Sequence, residues 1–298
     1  MKTLTVLSGK GGTGKTSISA SLAVLLSEGK KIVAVDCDVD APNFAIALGI
    51  GDELKSEKEI WASHKSKLSA EKCIKCGKCA EICAFNAIKW DEGELPEFNQ
   101  FLCEGCGACT LVCPAKAIEL IEVNNASAGV GNTDYGFKII SGQLKMGESG
   151  SGKVVDEIKH IAREVAGKEN SELMLVDAAA GIGCPVIAAV RESDFVVGIA
   201  EPTPSGFSDL KRALGVVEQF GIPYGVIINI WDLNREKSME IEGFLEKQGI
   251  PLLGKISYDK DFVKALVEMK PAVVFSEKIK KEFQPIVKRI LENIERAE

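Results

Sequence analysis

The sequence predicts an α/β fold, a mostly parallel sheet with helices on both faces, carrying a small inserted α+β domain. Three observations predict it. Apolar runs at residues 4–7, 31–36, 173–177 and 195–200 lead into polar or acidic residues and then into stretches of helical spacing, the alternation by which strands and crossover helices build a parallel sheet. A glycine-rich turn joins the first strand to the first helix. Eight of the ten cysteines crowd into residues 73–113, where the α/β rhythm stops.

The first strand runs into Ser8-Gly9-Lys10-Gly11-Gly12-Thr13-Gly14-Lys15-Thr16, and residues 17–26 have helical spacing behind it. Strand, glycine loop and helix in that order form a phosphate cradle. Glycines let backbone N–H groups turn toward an anion, and the helix N-terminus adds its positive dipole end. In this pattern Lys15 reaches the β- and γ-phosphates and the Thr16 hydroxyl ligates Mg²⁺. Gly9-x-Gly11-x-x-Gly14 also satisfies the dinucleotide fingerprint, with Asp36 about 20 residues on, where a ribose-binding acid belongs. That fingerprint does not require Lys-Thr after its last glycine, whereas G-x-x-x-x-G-K-[ST] does. The triphosphate reading is preferred.

Lys10 adds a second layer. Residues 9–16 resemble the deviant Walker A loop (KGGxGK[ST]) of the MinD/ParA family of P-loop ATPases. The resemblance implies a P-loop NTPase sheet and an ATP-sandwiched homodimer, or a heterodimer with a similar ATPase, in which Lys10 crosses to the partner's phosphates. It assigns nucleotide contacts to Gly9, Lys10, Gly11, Gly12, Thr13, Gly14, Lys15, Thr16 and Ser17. The second strand, residues 31–36, ends in Asp36-Cys37-Asp38-Val39-Asp40-Ala41-Pro42-Asn43. Carboxylates at a strand's C-terminal end lie on the ligand side of such a sheet. In the family, an Asp-x-Asp pair and a following Asn form switch I, which maps here to Asp36, Asp38 and Asn43. Asp38 then orients the attacking water, and Lys10, Lys15 and Asp38 make up the catalytic set. MinD proper usually has Arg before that Asn, where this chain has Pro42.

Composition narrows the function classes. At 298 residues, 46% hydrophobic and 27% charged, the chain is an ordinary globular protein of one or two domains. A net charge of −7 argues against a nucleic-acid surface. No apolar run approaches the ~20 residues that span a bilayer, and the few apolar residues after Met1-Lys2 are too short for a signal peptide. A cytoplasmic protein without a membrane span is expected.

After a short helix at 42–48 and a charged stretch at 52–67 come the cysteines. Cys73-x-x-Cys76-x-x-Cys79-x-x-x-Cys83 is repeated 30 residues later as Cys103-x-x-Cys106-x-x-Cys109-x-x-x-Cys113-Pro114, and Ala87-Ile88 recurs as Ala117-Ile118. This resembles a bacterial two-[4Fe–4S] ferredoxin, in which the fourth cysteine of each run ligates the other run's cluster. Cys73, Cys76, Cys79 and Cys113 would hold one cluster, and Cys103, Cys106, Cys109 and Cys83 the other. Tetrahedral zinc is the competing metal, but it suits paired C-x-x-C hooks better than two C-x₂-C-x₂-C-x₃-C runs. Ala84 replaces the Pro usual after the first run.

The α/β rhythm then resumes. Residues 124–134, rich in Asn, Ser and Gly, read as a loop, 136–141 as a strand, and 147–152 as a flexible connection. Residues 154–166 form an amphipathic helix with Val154, Val155, Ile158, Ile161 and Val165 on one side. Residues 173–177 are an apolar strand ending in an acid, the Walker B pattern, so Asp177 would hold Mg²⁺ opposite Thr16, with residues 178–183 as switch II. Cys184 opens the next helix as a buried small hydrophobe, the alternative being a cluster ligand at an interface, as in the related nitrogenase iron protein. Strands at 195–200, 224–230 and 252–257 alternate with helices at 206–219 and 235–248. Pro202 and Asn229, at strand ends, resemble the family's base-side segments. The closing helix, 277–295, carries Ile279, Phe283, Ile286, Val287, Ile290, Leu291 and Ile294 as a stripe that docks on the sheet.

Together the segments are similar to MinD-superfamily ATPases with an inserted ferredoxin domain. That implies an ATPase domain of residues 1–62 and 124–298 around an insert of 63–123, with ATP, Mg²⁺ and two [4Fe–4S] clusters. The leading expectation is that nucleotide state gates electron transfer from the clusters to an unidentified redox or iron–sulfur acceptor protein. An iron–sulfur carrier and a spatial organiser with structural clusters are the alternatives.

Overall fold

The computed structural model describes residues 1–51 and 54–296; the start of the charged 52–67 stretch and the last two residues of the acidic terminus lie outside them. The chain opens with β1 (Lys2–Ser8), α1 (Lys15–Ser27), β2 (Ile32–Cys37) and α2 (Phe44–Ala47). β3 (Lys55–Ile60) and β4 (Ser63–Leu68) lead to α3 (Lys78–Glu81), β5 (Ile88–Lys89), β6 (Glu97–Phe98), α4 (Ala108–Val112) and β7 (Ile118–Val123). Next come β8 (Ala126–Asn132), β9 (Lys138–Leu144), α5 (Ser151–Glu169), β10 (Leu173–Ala180), α6 (Cys184–Val190), β11 (Phe195–Ala200) and α7 (Pro204–Gln219). β12 (Tyr224–Asn229), α8 (Arg235–Gln248), β13 (Leu252–Ile256), α9 (Asp261–Val267), α10 (Ala272–Phe275) and α11 (Glu277–Arg296) complete the order.

The main sheet runs β13-β12-β11-β1-β10-β2-β9-β8-β3. From β13 to β9 every pair is parallel, and β8 and β3 extend the sheet antiparallel at one edge. The central strands are buried throughout, as strands covered on both faces must be. On one face α1 and α11 pack Leu22, Phe283, Ile286 and Ile290 against Leu4, Ala34 and Leu175. On the other, α5 and α6 pack Val154, Ile158, Val186 and Ala189 against Val33, Val35 and Val176. The stripe on α11 therefore docks on the sheet.

Residues 124–134 are not a loop; β8 occupies 126–132. Ala126 and Ala128 are buried on one face at strand period. A Cβ at Gly129 would come within 2.6 Å of Leu54, and one at Gly131 within 2.7 Å of Ile50. The glycines are close-approach positions in a strand rather than turn residues. Likewise the 147–152 connection is shorter than expected, because α5 begins at Ser151 after Gly150 in the left-handed region. The charged 52–67 stretch contains β3 and β4: Lys58 and Lys67 are exposed, whereas Lys65 is buried, donating to Gln100 O at 2.6 Å and paired with Glu148.

β3 and β8 part at Ile60 and Ala126, and β4 and β7 meet at Ser63 and Val123 with the same register, forming a separate two-stranded sheet. Residues 63–123 thus hang from the sheet edge by one antiparallel ribbon that is interrupted at 61–62 and 124–125.

Candidate functional site

The loop between β1 and α1 lies at the C-terminal edge of the parallel strands. Gly12 and Gly14 adopt φ of 79° and 82°, a conformation that costs glycine little. A Cβ on Gly9 would lie 2.1 Å from the Asp209 backbone of α7, and one on Gly14 would lie 2.5 Å from Asn229 Nδ2. The loop is clamped from both sides. Asn229 Nδ2 donates to the Thr13 carbonyl at 2.8 Å, so this residue, expected at the base, anchors the loop from the end of β12. Thr13 Oγ1 is buried and has no hydrogen-bond partner among the described residues.

Parallel pairing of β1, β10 and β2 sets Val6, Asp177 and Asp36 side by side. Asp177 is fully buried and collects three donors. Lys15 Nζ lies 2.7 Å and Thr16 Oγ1 2.8 Å from its Oδ2, and Ser19 Oγ 2.6 Å from its Oδ1. Ser19 is one helical turn beyond Lys15 and Thr16, so all three project from the same face of α1. Its spacing was visible in the sequence, although no motif marks it. Asp36 accepts from the backbone N–H of Asp38 at 3.1 Å and of Phe44 at 2.9 Å, fixing the turn into α2. Burial pushes its carboxyl up to about 7, the Asp177 charge adding to the rise against those N–H groups. Burial also raises the Asp38 carboxyl. Asp38 is half-buried and Asn43 exposed at the mouth.

Lys10 Nζ lies 3.1 Å from Glu201 Oε2 and 3.4 Å from Ser205 Oγ, both in its own chain. Pro202 is buried in the turn between them, and Thr203 caps α7 by accepting from Gly206 N–H. Ser17 is half-buried at the start of α1. Cys37 is wholly buried. Cys184, expected inside, is exposed at the N-terminus of α6; a Cβ on Gly152 of α5 would lie 3.1 Å from its Cβ.

The second cluster of side chains lies in the insert. Cys83, Cys103, Cys106 and Cys109 line one small pocket with Phe85 and Ile88, so the last cysteine of the first run sits among the first three of the second. Cys79 and Cys109 are buried in the insert's core beside Ile88 and Ile118, with Cys83 and Cys113 against it. Among the described residues no three His, Cys, Asp or Glu side chains gather tightly enough for a single metal ion.

Hydrogen bonds join the two places. Leu144 N–H donates to Val39 O at 2.9 Å, just past Asp38, and Lys145 N–H donates to Asn125 O at 2.8 Å. The buried Asn125 side chain accepts from Ala62 N–H at 2.9 Å and donates to Ser149 O at 2.8 Å. Lys65 of β4 lies 3.3 Å from Glu148. Asn125 carries no motif, and only the fold reveals its position at the ribbon's interruption.

Comparison with known proteins gives three findings. The family model for the CobQ/CobB/MinD/ParA nucleotide binding domain matches residues 4–272. An uncharacterised protein of Methanocaldococcus jannaschii is 41% identical over 234 residues, 78% of this chain and 79% of that one, and one subunit of an ion-translocating oxidoreductase complex from Methanosarcina acetivorans is 50% identical over 48 residues, 16% of this chain and 18% of its own. Among solved structures, the septum site-determining protein MinD from Pyrococcus horikoshii, complexed with Mg-ADP, superposes with a TM-score of 0.60 at 20% identity, covering 97% of this chain and 95% of that one. No helix among the described residues is long and apolar enough to cross a membrane.

Proposed function

The chain belongs to the CobQ/CobB/MinD/ParA nucleotide-binding family, and from that membership we propose that it binds and hydrolyses ATP with Mg²⁺ as a dimer, its nucleotide state gating electron transfer from two [4Fe–4S] clusters to a partner protein. Backbone N–H groups of residues 11–16 and the Lys15 ammonium hold the phosphates, and Thr16 and Asp177 hold Mg²⁺. The donor set fits these ligands. Lys15 and Thr16 both lean on Asp177, from which phosphate and a cation would draw them, and the orphaned Thr13 hydroxyl gains an acceptor. Asp38 orients the attacking water, and Lys10 leaves Glu201 to reach the partner's phosphates. Catalysis by positioning and charge is what phosphoryl transfer demands.

The insert would be a two-cluster ferredoxin domain. Cys73, Cys76, Cys79 and Cys113 would hold one cluster and Cys103, Cys106, Cys109 and Cys83 the other. Bound clusters supply one-electron storage. The shared pocket of Cys83 with the second run supports the crossed assignment. A four-iron cube spreads its thiolates wider than one tetrahedral ion does, so the lack of a tight three-ligand group bears on single ions alone. The short match to an oxidoreductase subunit agrees with a redox role.

One observation carries the gating: the hydrogen-bonded route from Val39, beside Asp38, through Leu144, Lys145 and Asn125 to Ala62 at the ribbon's root. A segment that moves on γ-phosphate loss pulls directly on the insert's attachment. The test is anaerobic purification, iron and sulfide counting, and EPR of the reduced protein with and without ATP. Cluster signals and transfer rates should respond to ATP in the wild type and not in Lys15→Ala; equal behaviour of the two proteins defeats the reading. The exposed Cys184 favours cluster delivery as a second reading, which predicts cluster loss to an apo-acceptor. The wholly buried Cys37 offers it no second surface thiol.

A further inference from the structure

The two halves of the insert are related by an approximate twofold that strand pairing makes explicit. Leu68 pairs with Ile118 and Lys67 with Glu119; thirty residues on in one strand and thirty back in the other, Phe98 pairs with Ile88 and Glu97 with Lys89. The bonds that follow match as well. Ser69 N–H donates to Ala117 O and Asn99 N–H to Ala87 O, both at 2.7 Å. Ala117 N–H points at Cys113 Sγ and Ala87 N–H at Cys83 Sγ, both at 3.3 Å.

Against that symmetry the two runs differ in two places. In the first run Lys75 N–H lies 3.4 Å from Cys73 Sγ, with no matching bond from Gly105 to Cys103 among the described residues. Ser66, buried on β4, aims two donors at the second run: its N–H lies 3.4 Å from Cys103 Sγ and its hydroxyl 3.1 Å from Cys109 Sγ. The position related to Ser66 by the 30-residue repeat is Pro96, also buried. Proline has neither N–H nor hydroxyl to offer. A ligating thiolate carries no proton, so the Ser66 hydroxyl must be the donor to Cys109.

We propose that Ser66 is a positioning residue that raises the reduction potential of the cluster held by Cys83, Cys103, Cys106 and Cys109, and that Pro96 withholds the same effect from the cluster held by Cys73, Cys76, Cys79 and Cys113. The inference rests on the two-cluster reading above. Reduction adds negative charge at the thiolates, and donors aimed at the sulfurs stabilise the more negative state. Burial works the other way, since Cys103 is buried where its counterpart Cys73 is half-buried. Substituting Ser66 isolates the donor effect, because it leaves both cysteines in place. The tuned site is also the one on the side of α5 and α6: Glu104 and Gly105 of the second run line one pocket with Lys153 and Ile187, and Lys65 lies 3.3 Å from Glu148. An electron settling there rests next to the ribbon's root.

The experiment is an EPR-monitored potentiometric titration of anaerobically purified full chain, comparing wild type, Ser66→Ala and Ser66→Thr. Iron and sulfide are counted in each. In Ser66→Ala one of two reduction waves moves to lower potential, by about tenfold in the one-electron equilibrium, about 59 mV. The other wave stays, and Ser66→Thr restores the first. Fully loaded protein in which neither wave moves, or both move equally, overturns the inference and leaves the two-cluster reading standing. Wild-type protein without iron at these cysteines ends the two-cluster reading and the inference with it.

Discussion

Lys10 Nζ lies 3.1 Å from Glu201 Oε2 of its own chain. The residue proposed to act across a dimer is therefore held back by an intramolecular ion pair at the rim of α7. The pair is partly exposed, so its strength falls in the range of about 0.2–1 kcal/mol. Because each protomer of a homodimer releases one such pair, Glu201→Gln should tighten the ATP-dependent dimer by up to about thirtyfold, read by sedimentation with a non-hydrolysable ATP analogue. Lys10→Ala should abolish hydrolysis while nucleotide binding persists. A weaker dimer in Glu201→Gln would place Glu201 in the interface as a contact rather than a restraint.

Asp36 gives the nucleotide- and magnesium-free protein a pH signature. Its carboxyl is raised by burial to about 7 from an ordinary 3.8, so between those values the folded state binds the proton and the unfolded chain does not. Stability then falls as pH rises through that window, by about 1.4 kcal/mol per unit, and levels off above pH 7. Denaturant melts between pH 5 and 8 should show this slope in the wild type and a flatter profile in Asp36→Asn. Identical slopes would mean that Asp36 is ionised in the apoprotein.

The central strands are legible in the sequence because a parallel strand buried on both faces must be an apolar run, as Phe195–Ala200 is. β8 is not, since Ala126–Asn132 has the composition of a loop and becomes a strand only when Leu54 and Ile50 close over its glycines. The same division holds at the candidate site. Gly9 through Thr16 announce themselves locally, because the loop's backbone shape is written in its glycines. Asn125, Ser66 and Glu201 act on residues far away in the chain, and no local spacing encodes such contacts.

Asn125 should couple the two halves of the molecule. Its side chain is fully buried and holds Ala62 N–H on one side and Ser149 O on the other, across the interrupted ribbon. Asn125→Leu removes two hydrogen bonds between a buried side chain and the backbone of half-buried residues, a net cost of about 1 kcal/mol for each bond. The expected outcome is a lower melting temperature, near-normal ATP hydrolysis, and cluster EPR signals that no longer change with nucleotide. Retained nucleotide sensitivity would move the coupling route elsewhere, to the Lys65–Glu148 pair first.

Lys159 tests whether α6, the helix that follows residues 178–183, depends on a charge from its neighbour. Its side chain is 2% exposed on α5, and its ammonium donates to the carbonyls of Ala188 and Ala189 at 2.9 Å and of Arg191 at 2.5 Å. Those are the carbonyls left without partners at a helix C-terminus, where a cation is also favoured by the helix dipole. Lys159→Met keeps the aliphatic length and removes every donor. Hydrogen bonds to a charged group are worth about 1.5–3 kcal/mol each, so the variant should lose roughly 3 kcal/mol or more in denaturant unfolding. Arg191 would be released from its C-cap position, and amide exchange should rise first in the last turn of α6. A variant as stable as wild type, with α6 equally protected, would show that water replaces the lysine at no cost and that the buried charge is dispensable for α6.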